Sequence, residues 1–333
     1  MSKTYGYLAI VRSLQLAMEF RQLKYFVRIV ELGSVSRAAA DLYTAQPALS
    51  QQIAKLEDEL KVKLLARSAR GVVATEAGEV FYRHARAMLR QAELMKSEVQ
   101  DAGEHPQGVV SVGLPTSAAT ILAPRLFAEA ARQYPDIQLQ ITESLSGHLQ
   151  ELVVNGRIEM SLLFERVDGS GVVRETRLGT HLEVMPLLTE SLILLSCEQP
   201  GDALPEEVSI AEAAKRPLIL PGKSNITRQI IDEAFEAAGE RPLVRAELDS
   251  LATIRAVVAS GVGSTILSPS IPGGTTGLTV QRIAGAALQR RLSLCTFDIM
   301  PLSSAARRIM ELIRETALAL IAEGAWPGAS RIE

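Results

Sequence analysis

The sequence is short of the residues that most often declare a chemistry. Cysteine occurs only at Cys197 and Cys295 of 333 positions, and the two form no C-x-x-C. That excludes a disulfide framework and suits buried free thiols in a reducing cytoplasm. The four histidines, His84, His105, His148 and His181, are scattered and pair with no cysteine, so no metal-ligand spacing is present. No apolar run approaches the ~18 residues a membrane span needs, and Arg12 interrupts the N-terminal apolar stretch that a signal peptide requires to be continuous. There is no G-x-S-x-G elbow. The segment Pro221-Gly222-Lys223-Ser224 imitates the tail of a phosphate loop, but Pro217 stands where its first glycine is needed. These absences lead us to expect no catalysis, no cofactor and no metal. Neither sign of charge dominates, with a net charge of −3, so a nucleic-acid footprint has to be local. A hydrophobic content of 47% against 22% charged residues supports globular cores over two or three domains.

What is present begins at about Met18. Leu23, Phe26, Val27 and Val30 recur at helical spacing and Gly33 ends that helix. Ser34 is a good N-cap for a short helix over 35–42. After a turn at 43–45, Pro47 sits in the first turn of a third helix, where its missing N–H costs nothing. That helix buries Leu49, Ile53, Leu56 and Leu60. Ala38, Ala39 and Ala40 let two helices approach closely across a short turn, which is the need of a helix-turn-helix. The first turn of the next helix presents amides and hydroxyls that suit base edges, at an end that favours phosphate. On spacing alone, an ordinary helical hairpin with a polar face competes. The segment "LLARSARGVVAT", basic, β-rich and turning at Gly71, reads as a two-stranded wing and favours the helix-turn-helix. Thr75-Glu76-Ala77-Gly78 then opens a helix running to about Ala102.

The stretch "LKYFVRIVELGSVSRAAADLYTAQPALSQQIAKLEDEL", together with "RSARGVVATEAG", resembles the DNA-binding domain of LysR-type transcriptional regulators. Later segments, "ESLSGHLQELVVNGRIEMSLLF" and "DSLATIRAVVASGVGSTILSPS", resemble that family's effector domain, and with "HARAMLRQAE" they are most similar to its nitrogen assimilation control subgroup. The resemblance implies roles by position. Gln46, Pro47, Ser50 and Gln51 meet the major groove, Ser34, Ser36 and Arg37 meet phosphate, and Lys55 adds a phosphate contact. Arg67 and Arg70 flank a wing that reaches the backbone and minor groove. The family pattern begins near Met18, so residues 1–17 are extra. A misassigned start is the expectation, with a short disordered arm or an added helix as alternatives. Leu65, where the family often has Phe, is a packing change.

Residues 18–80 hold nine Lys and Arg against eight Asp and Glu, so a single head should bind DNA poorly and pairing of heads matters. Phe81, Ala85, Met88, Ala92, Met95 and Val99 step by four and three along the long helix, a heptad seam for dimerisation. The competing reading is a helix lying on its own domain.

From Val109 the pattern alternates strand and helix, which argues a parallel sheet with covering helices. Two such units, crossed twice by the chain, resemble the periplasmic-binding-protein architecture. Ligands of such sheets bind at the carboxyl ends of strands. There "LPTSAAT" offers Thr116, Ser117 and Thr120, "ESLSG" offers Ser144 and Ser146, and "PGKSN" offers Lys223, Ser224 and Asn225. Each cluster also reads as a plain helix cap.

The expected architecture is therefore α/β with an all-α-type winged helix-turn-helix head at 18–75, a linker and dimerisation helix at 76–107, and a two-lobed effector domain at 108–325. Lobe one takes 108–183 and 285–325, and lobe two takes 184–284. The expected function is a cytoplasmic, sequence-specific transcriptional regulator governed by a small polar or anionic metabolite or by its own abundance. The partners implied are double-stranded DNA carrying an interrupted palindrome, a small-molecule effector, further copies of the chain as dimer or tetramer, and RNA polymerase, with no membrane. The alternative is a small-molecule binding protein whose helical head serves assembly.

Overall fold

The computed structural model describes residues 18–68, 71–100, 106–167, 182–198, 205–284, 288–298 and 302–332, without the side chains of 67, 68, 93, 94 and 96–100. Residues 1–17, Arg70 and the side chains of Arg67 and Val99 lie outside that description. The chain divides into two compact units between Ser97 and Glu98.

In the first unit, helix α1 (Phe20–Leu32) buries Leu23, Phe26, Val27 and Ile29 and ends at Gly33, whose φ of 61° is left-handed. Helix α2 (Val35–Asp41) is capped by Ser34, whose hydroxyl accepts from the Arg37 N–H. Ala38 and Ala39 are buried at the helix crossing and Ala40 is exposed, so two of the three alanines provide the close approach. Helix α3 (Gln46–Leu60) buries Leu49, Ile53 and Leu56, with Pro47 in its first turn. The hairpin β1 (Leu65–Ser68) and β2 (Gly71–Ala74) pairs antiparallel, as a wing should.

Three contacts fasten the hairpin. Buried Glu57 of α3 accepts from the Leu64 and Leu65 N–H groups at 2.9 and 3.1 Å and from Lys63 Nζ at 2.6 Å. The Val72 N–H donates to the Gly33 carbonyl at 3.0 Å, and a β-carbon on Gly71, at φ 119°, would lie 2.4 Å from that oxygen. Thr75 donates to the Lys63 carbonyl and accepts from the Gly78 N–H, opening helix α4 (Glu76–Gln100).

Helix α4 corrects the expected seam. Ala85 is buried in the head's own core, and Phe81 packs there with its ring edge-on to Phe26 at 5.0 Å. Tyr82 joins them, and Glu31 holds Arg86 and the Tyr82 hydroxyl. Phe81 and Ala85 are thus spent inside the domain, because the first turns of α4 are the lid of a small core. Met88 and Met95 stay 42% and 62% exposed, and Ala92 is half-buried. The helix is ~37 Å long at ~1.5 Å per residue.

The second unit has two lobes. Lobe one is a six-stranded sheet in the order β14-β6-β13-β5-β3-β4. Its strands are β3 (Gly108–Pro115), β4 (Ile137–Ser144), β5 (Met160–Arg166), β6 (Leu182–Ser191), β13 (Gln289–Phe297) and β14 (Ala329–Arg331). Strands β3, β4 and β5 run parallel and β13 runs antiparallel to β5 and β6, so the sheet is mixed where a parallel one was expected. Helices α5 (Thr116–Gln133) and α10 (Ser304–Ala322) bury one face, and α6 (Ser146–Val154) packs on β3 and β5.

In lobe two the sheet order is β11-β7-β12-β8, built from β7 (Ile193–Cys197), β8 (Glu207–Ser209), β11 (Thr265–Leu267) and β12 (Leu278–Ala284). A parallel pair, β9 (Leu218–Leu220) with β10 (Val244–Glu247), adjoins it through a bridge from Leu218 to Ser264. Helices α7 (Ile210–Ala214) and α8 (Ile226–Ala237) supply one core, and α9 (Leu251–Ala259) supplies the other. The lobe boundary expected at 183/184 moves. Strand β6 belongs to lobe one, so the chain crosses after Ser191 and returns between Leu288 and Gln289. Lobe one also extends past 325, through β14.

A β-carbon on Gly78 would lie 2.0 Å from the Leu64 carbonyl oxygen. Gly78→Ala should therefore destabilise the head by roughly 1–3 kcal/mol, against the ~1 kcal/mol that alanine gains in a helix. A denaturant midpoint that stays put or rises would show that the contact relaxes freely.

Candidate functional site

Two surfaces carry the polar groups expected to act. On the head, Gln46, Pro47, Ser50, Gln51 and Lys55 are all exposed along α3. Gln46 and Ser50 stand one turn apart, on the same face. The neighbouring Gln52 is partly committed, since its side-chain oxygen accepts from buried Gln22 at 3.2 Å. Of the residues expected at phosphate, Ser36 is exposed. Ser34 spends its hydroxyl on the α2 cap, and Arg37 turns its guanidinium onto the Leu32 carbonyl. Arg28, which the sequence reading left unassigned, makes two 2.6 Å bonds to Asp41 and locks α1 to α2. Tyr43 was also missed. It is 98% exposed in the turn between α2 and α3, with φ at 51°, a conformation costly for a bulky residue.

The second surface is a cavity of about 200 Å³ between the lobes. All six expected effector residues, Thr116, Ser117, Ser144, Ser146, Ser224 and Asn225, line it. Lys223 does not, and Thr120 bonds back to the Thr116 carbonyl instead. The first turns of four helices, α5, α6, α8 and α9, contribute to the wall. Asn225 caps α8 and Ser250 caps α9, whereas α5 and α6, preceded by Pro115 and Leu145, have no side-chain cap. The leading N–H groups of α5 and α6 are consequently available to an anion. Ser146 holds the Phe164 N–H at 3.1 Å, tying α6 to the end of β5.

The floor is a charge network that sequence reasoning missed. Arg290, on β13 and 5% exposed, gives two bonds of 2.8 and 2.5 Å to Glu190 of β6. It also donates to Ser117 and Thr227 at 2.8 Å each and lies 3.5 Å over the Phe164 ring. Glu190, 1% exposed, accepts in addition from Ser268 at 2.7 Å and from Trp326 Nε1 at 3.2 Å. One guanidinium thus joins α5 and β6 of lobe one to α8 of lobe two. At the rim, Arg166 of β5 pairs with Glu233 of α8, a second tie between the lobes. Beside the floor, Glu165 accepts from Arg291 at 3.3 Å and from the Ser293 hydroxyl. Among the described residues no group of His, Cys, Asp and Glu is placed to hold a metal, and no helix is long and apolar enough to cross a membrane. Burial raises the Cys295 thiol well above its ordinary pKa.

Removing the negative partner should strand a buried cation. Glu190→Gln should cost about 3–5 kcal/mol in equilibrium denaturation of the full chain. A loss under ~1 kcal/mol would fall in the range of exposed ion pairs and would mean that water reaches Arg290.

Comparison with known proteins finds relatives of both units. Residues 20–79 match the helix-turn-helix of bacterial regulatory proteins of the lysR family, and residues 103–318 match the LysR substrate binding domain. The nitrogen assimilation regulatory protein nac of Klebsiella aerogenes is 35% identical over 301 residues, covering 89% of this chain and 94% of that protein. A full-length OxyR variant from Pseudomonas aeruginosa superposes with a TM-score of 0.70 at 23% identity, over 90% of this chain and 94% of its own. Full-length CbnR in complex with its target DNA gives 0.59 at 23% identity, over 90% and 100%.

Proposed function

The chain belongs to the LysR family of bacterial transcriptional regulators, and from that premise we propose that it regulates transcription by binding specific DNA through α3 and a small ligand in the interlobe cavity, without catalysing a reaction. The observation that carries the DNA half is the first turn of α3. Gln46 there, with Ser50 and Gln51 in the turn that follows, is polar, uncharged and exposed, on a helix whose opposite face packs Leu49, Ile53 and Leu56. A head serving only assembly would present an apolar face there. The ligand half rests on the convergence of four helix starts and the six expected residues on one cavity. Lys55 supports phosphate contact, being exposed and outside every ion pair among the described residues. The expectation for Arg67 and Arg70 falls outside the described side chains and stays part of the proposal. Regulation by abundance alone is the competing reading for the second unit.

We place this activity in the cytoplasm, where DNA and RNA polymerase are met. A near-balanced head binds tightly only in pairs, so recognition of an interrupted palindrome by a dimer, or a pair of dimers, follows. Exposed Met88 and Met95, with half-buried Ala92 between them, are the described remainder of the heptad and offer the pairing surface.

Gln46→Ala should weaken binding to the cognate site by roughly 1–3 kcal/mol and relax preference at one base step, measured by mobility shift against random duplex. Equal losses on both duplexes would show that Gln46 does not read bases. The double substitution Met88→Glu, Met95→Glu should bury unpaired charge in the seam and lower the sedimenting mass together with affinity for a full site. An unchanged mass would place the dimer contact elsewhere.

A further inference from the structure

The turn between α2 and α3 is built for glycine and carries a tyrosine. Past Leu42, the Thr44 N–H donates to the Ala39 carbonyl at 2.9 Å and the Tyr43 N–H to the Ala40 carbonyl at 3.2 Å. Such a pair of bonds closes a helix end when the residue after the cap turns left-handed, a place that glycine usually takes. Gly33 ends α1 in that conformation, with φ at 61°. Tyr43 holds φ at 51°, where its β-carbon crowds the backbone.

No contact inside the head offsets that strain. The Tyr43 side chain is 98% exposed and makes no hydrogen bond or ring contact among the described residues. Lys61, the other non-glycine residue of positive φ among them, at least donates to Asp58 at 3.0 Å. Strain held where no internal contact uses it points to an external one. The surroundings say which. Ser36 of α2 and Gln46, Pro47 and Ser50 of α3 are exposed on either side of Tyr43 along the chain. In a helix-turn-helix the second helix reads bases with its leading residues while the first crosses the backbone, so the turn between them passes over a phosphate strand.

We propose that Tyr43 anchors the head to the DNA backbone: its hydroxyl donates to a phosphate oxygen at the wall of the groove that α3 enters, with the ring against the adjoining sugar. Tyrosine is among the side chains that bond phosphate, and such contacts fix register without reading sequence. The phenol is a neutral donor and displaces no counter-ion, so its contribution does not fade with salt as that of a lysine does. That suits a head whose residues 18–80 hold nine Lys and Arg against eight Asp and Glu. A ring with two side-chain torsions, on a turn already closed by backbone bonds, also loses little freedom on binding. The proposal rests on the reading of α3 as the helix that meets bases.

The test uses the full-length protein and a duplex that the wild-type chain selects from a random-sequence pool. Tyr43→Phe, which removes only the hydroxyl, should weaken binding to that duplex by about 2- to 10-fold. It should leave the salt slope of binding unchanged and select the same sequence from the pool. Tyr43→Gly should weaken binding at least as much, while the midpoint of chemical denaturation stays put or rises, since glycine suits the left-handed turn. Wild-type affinity in Tyr43→Phe would overturn the contact, and so would a changed selected sequence, which would mean that Tyr43 reads a base. A lower sedimenting mass of Tyr43→Gly without DNA would assign the turn to a second copy of the chain and overturn it too. A wild type that selects no duplex would sink the DNA reading of the head and this proposal together. A selected duplex that Gln46→Ala weakens and Tyr43→Phe does not would sink this proposal alone.

Discussion

The second unit is organised around a charge that has nowhere to go. A guanidinium as buried as that of Arg290 must be matched where it stands, since exposing it would take apart the sheet that carries it. Meeting that demand recruits Glu190 from the neighbouring strand, Ser117 from the start of α5, Thr227 from α8 and the face of Phe164. Glu190 in turn fixes Ser268 and Trp326. Replacing such a pair with apolar residues is often neutral for stability. Its role here is to specify geometry. It sits where the chain passes between lobes, on the two strands that make the crossing, and supplies lobe two with one of its ties to lobe one. The cavity above it takes its shape from groups that this ion pair has already oriented.

Much of the head was legible because its determinants are local. Gly33 needs its left-handed φ, Ser34 its cap, Pro47 its place in a first turn, and Ala38 and Ala39 their close crossing, each within a few residues of the effect. The seam on α4 was half legible. A stripe of apolar residues on a helix states that something covers it and leaves open what does. Phe81 and Ala85 turned out to serve the near core, which no spacing rule distinguishes from a partner helix.

In the second unit the polar loops were legible and the floor was not. Thr116, Ser117, Ser144, Ser146, Ser224 and Asn225 follow strand ends, and strand ends converge in such sheets. Glu190 and Arg290 are a hundred positions apart, and in sequence each reads as a surface charge. Strand β6 was hidden for a related reason, because Pro186 within it argues against a paired strand. The structure admits that proline at an irregularity: Leu292 pairs with Leu188 and Ser293 with Pro186, a register shift that steps past Leu187. Only the partner strand explains why the proline is tolerated.

The fastening of the hairpin to α3 has a consequence for how the head meets a duplex. Glu57 grips the hairpin's entry, the Gly33 carbonyl leaves no room for a β-carbon at Gly71, and Thr75 closes the exit. Among the described residues, the base of the ribbon is tied to α3, the helix proposed to enter a groove. A head tied in this way, if both parts reach the duplex, acts as a caliper of fixed span. A duplex that reaches both jaws undistorted is then favoured over one that must be bent or twisted to do so, whatever bases the jaws touch. On that reading, part of the sequence preference is stored in the stiffness of base steps that no side chain contacts.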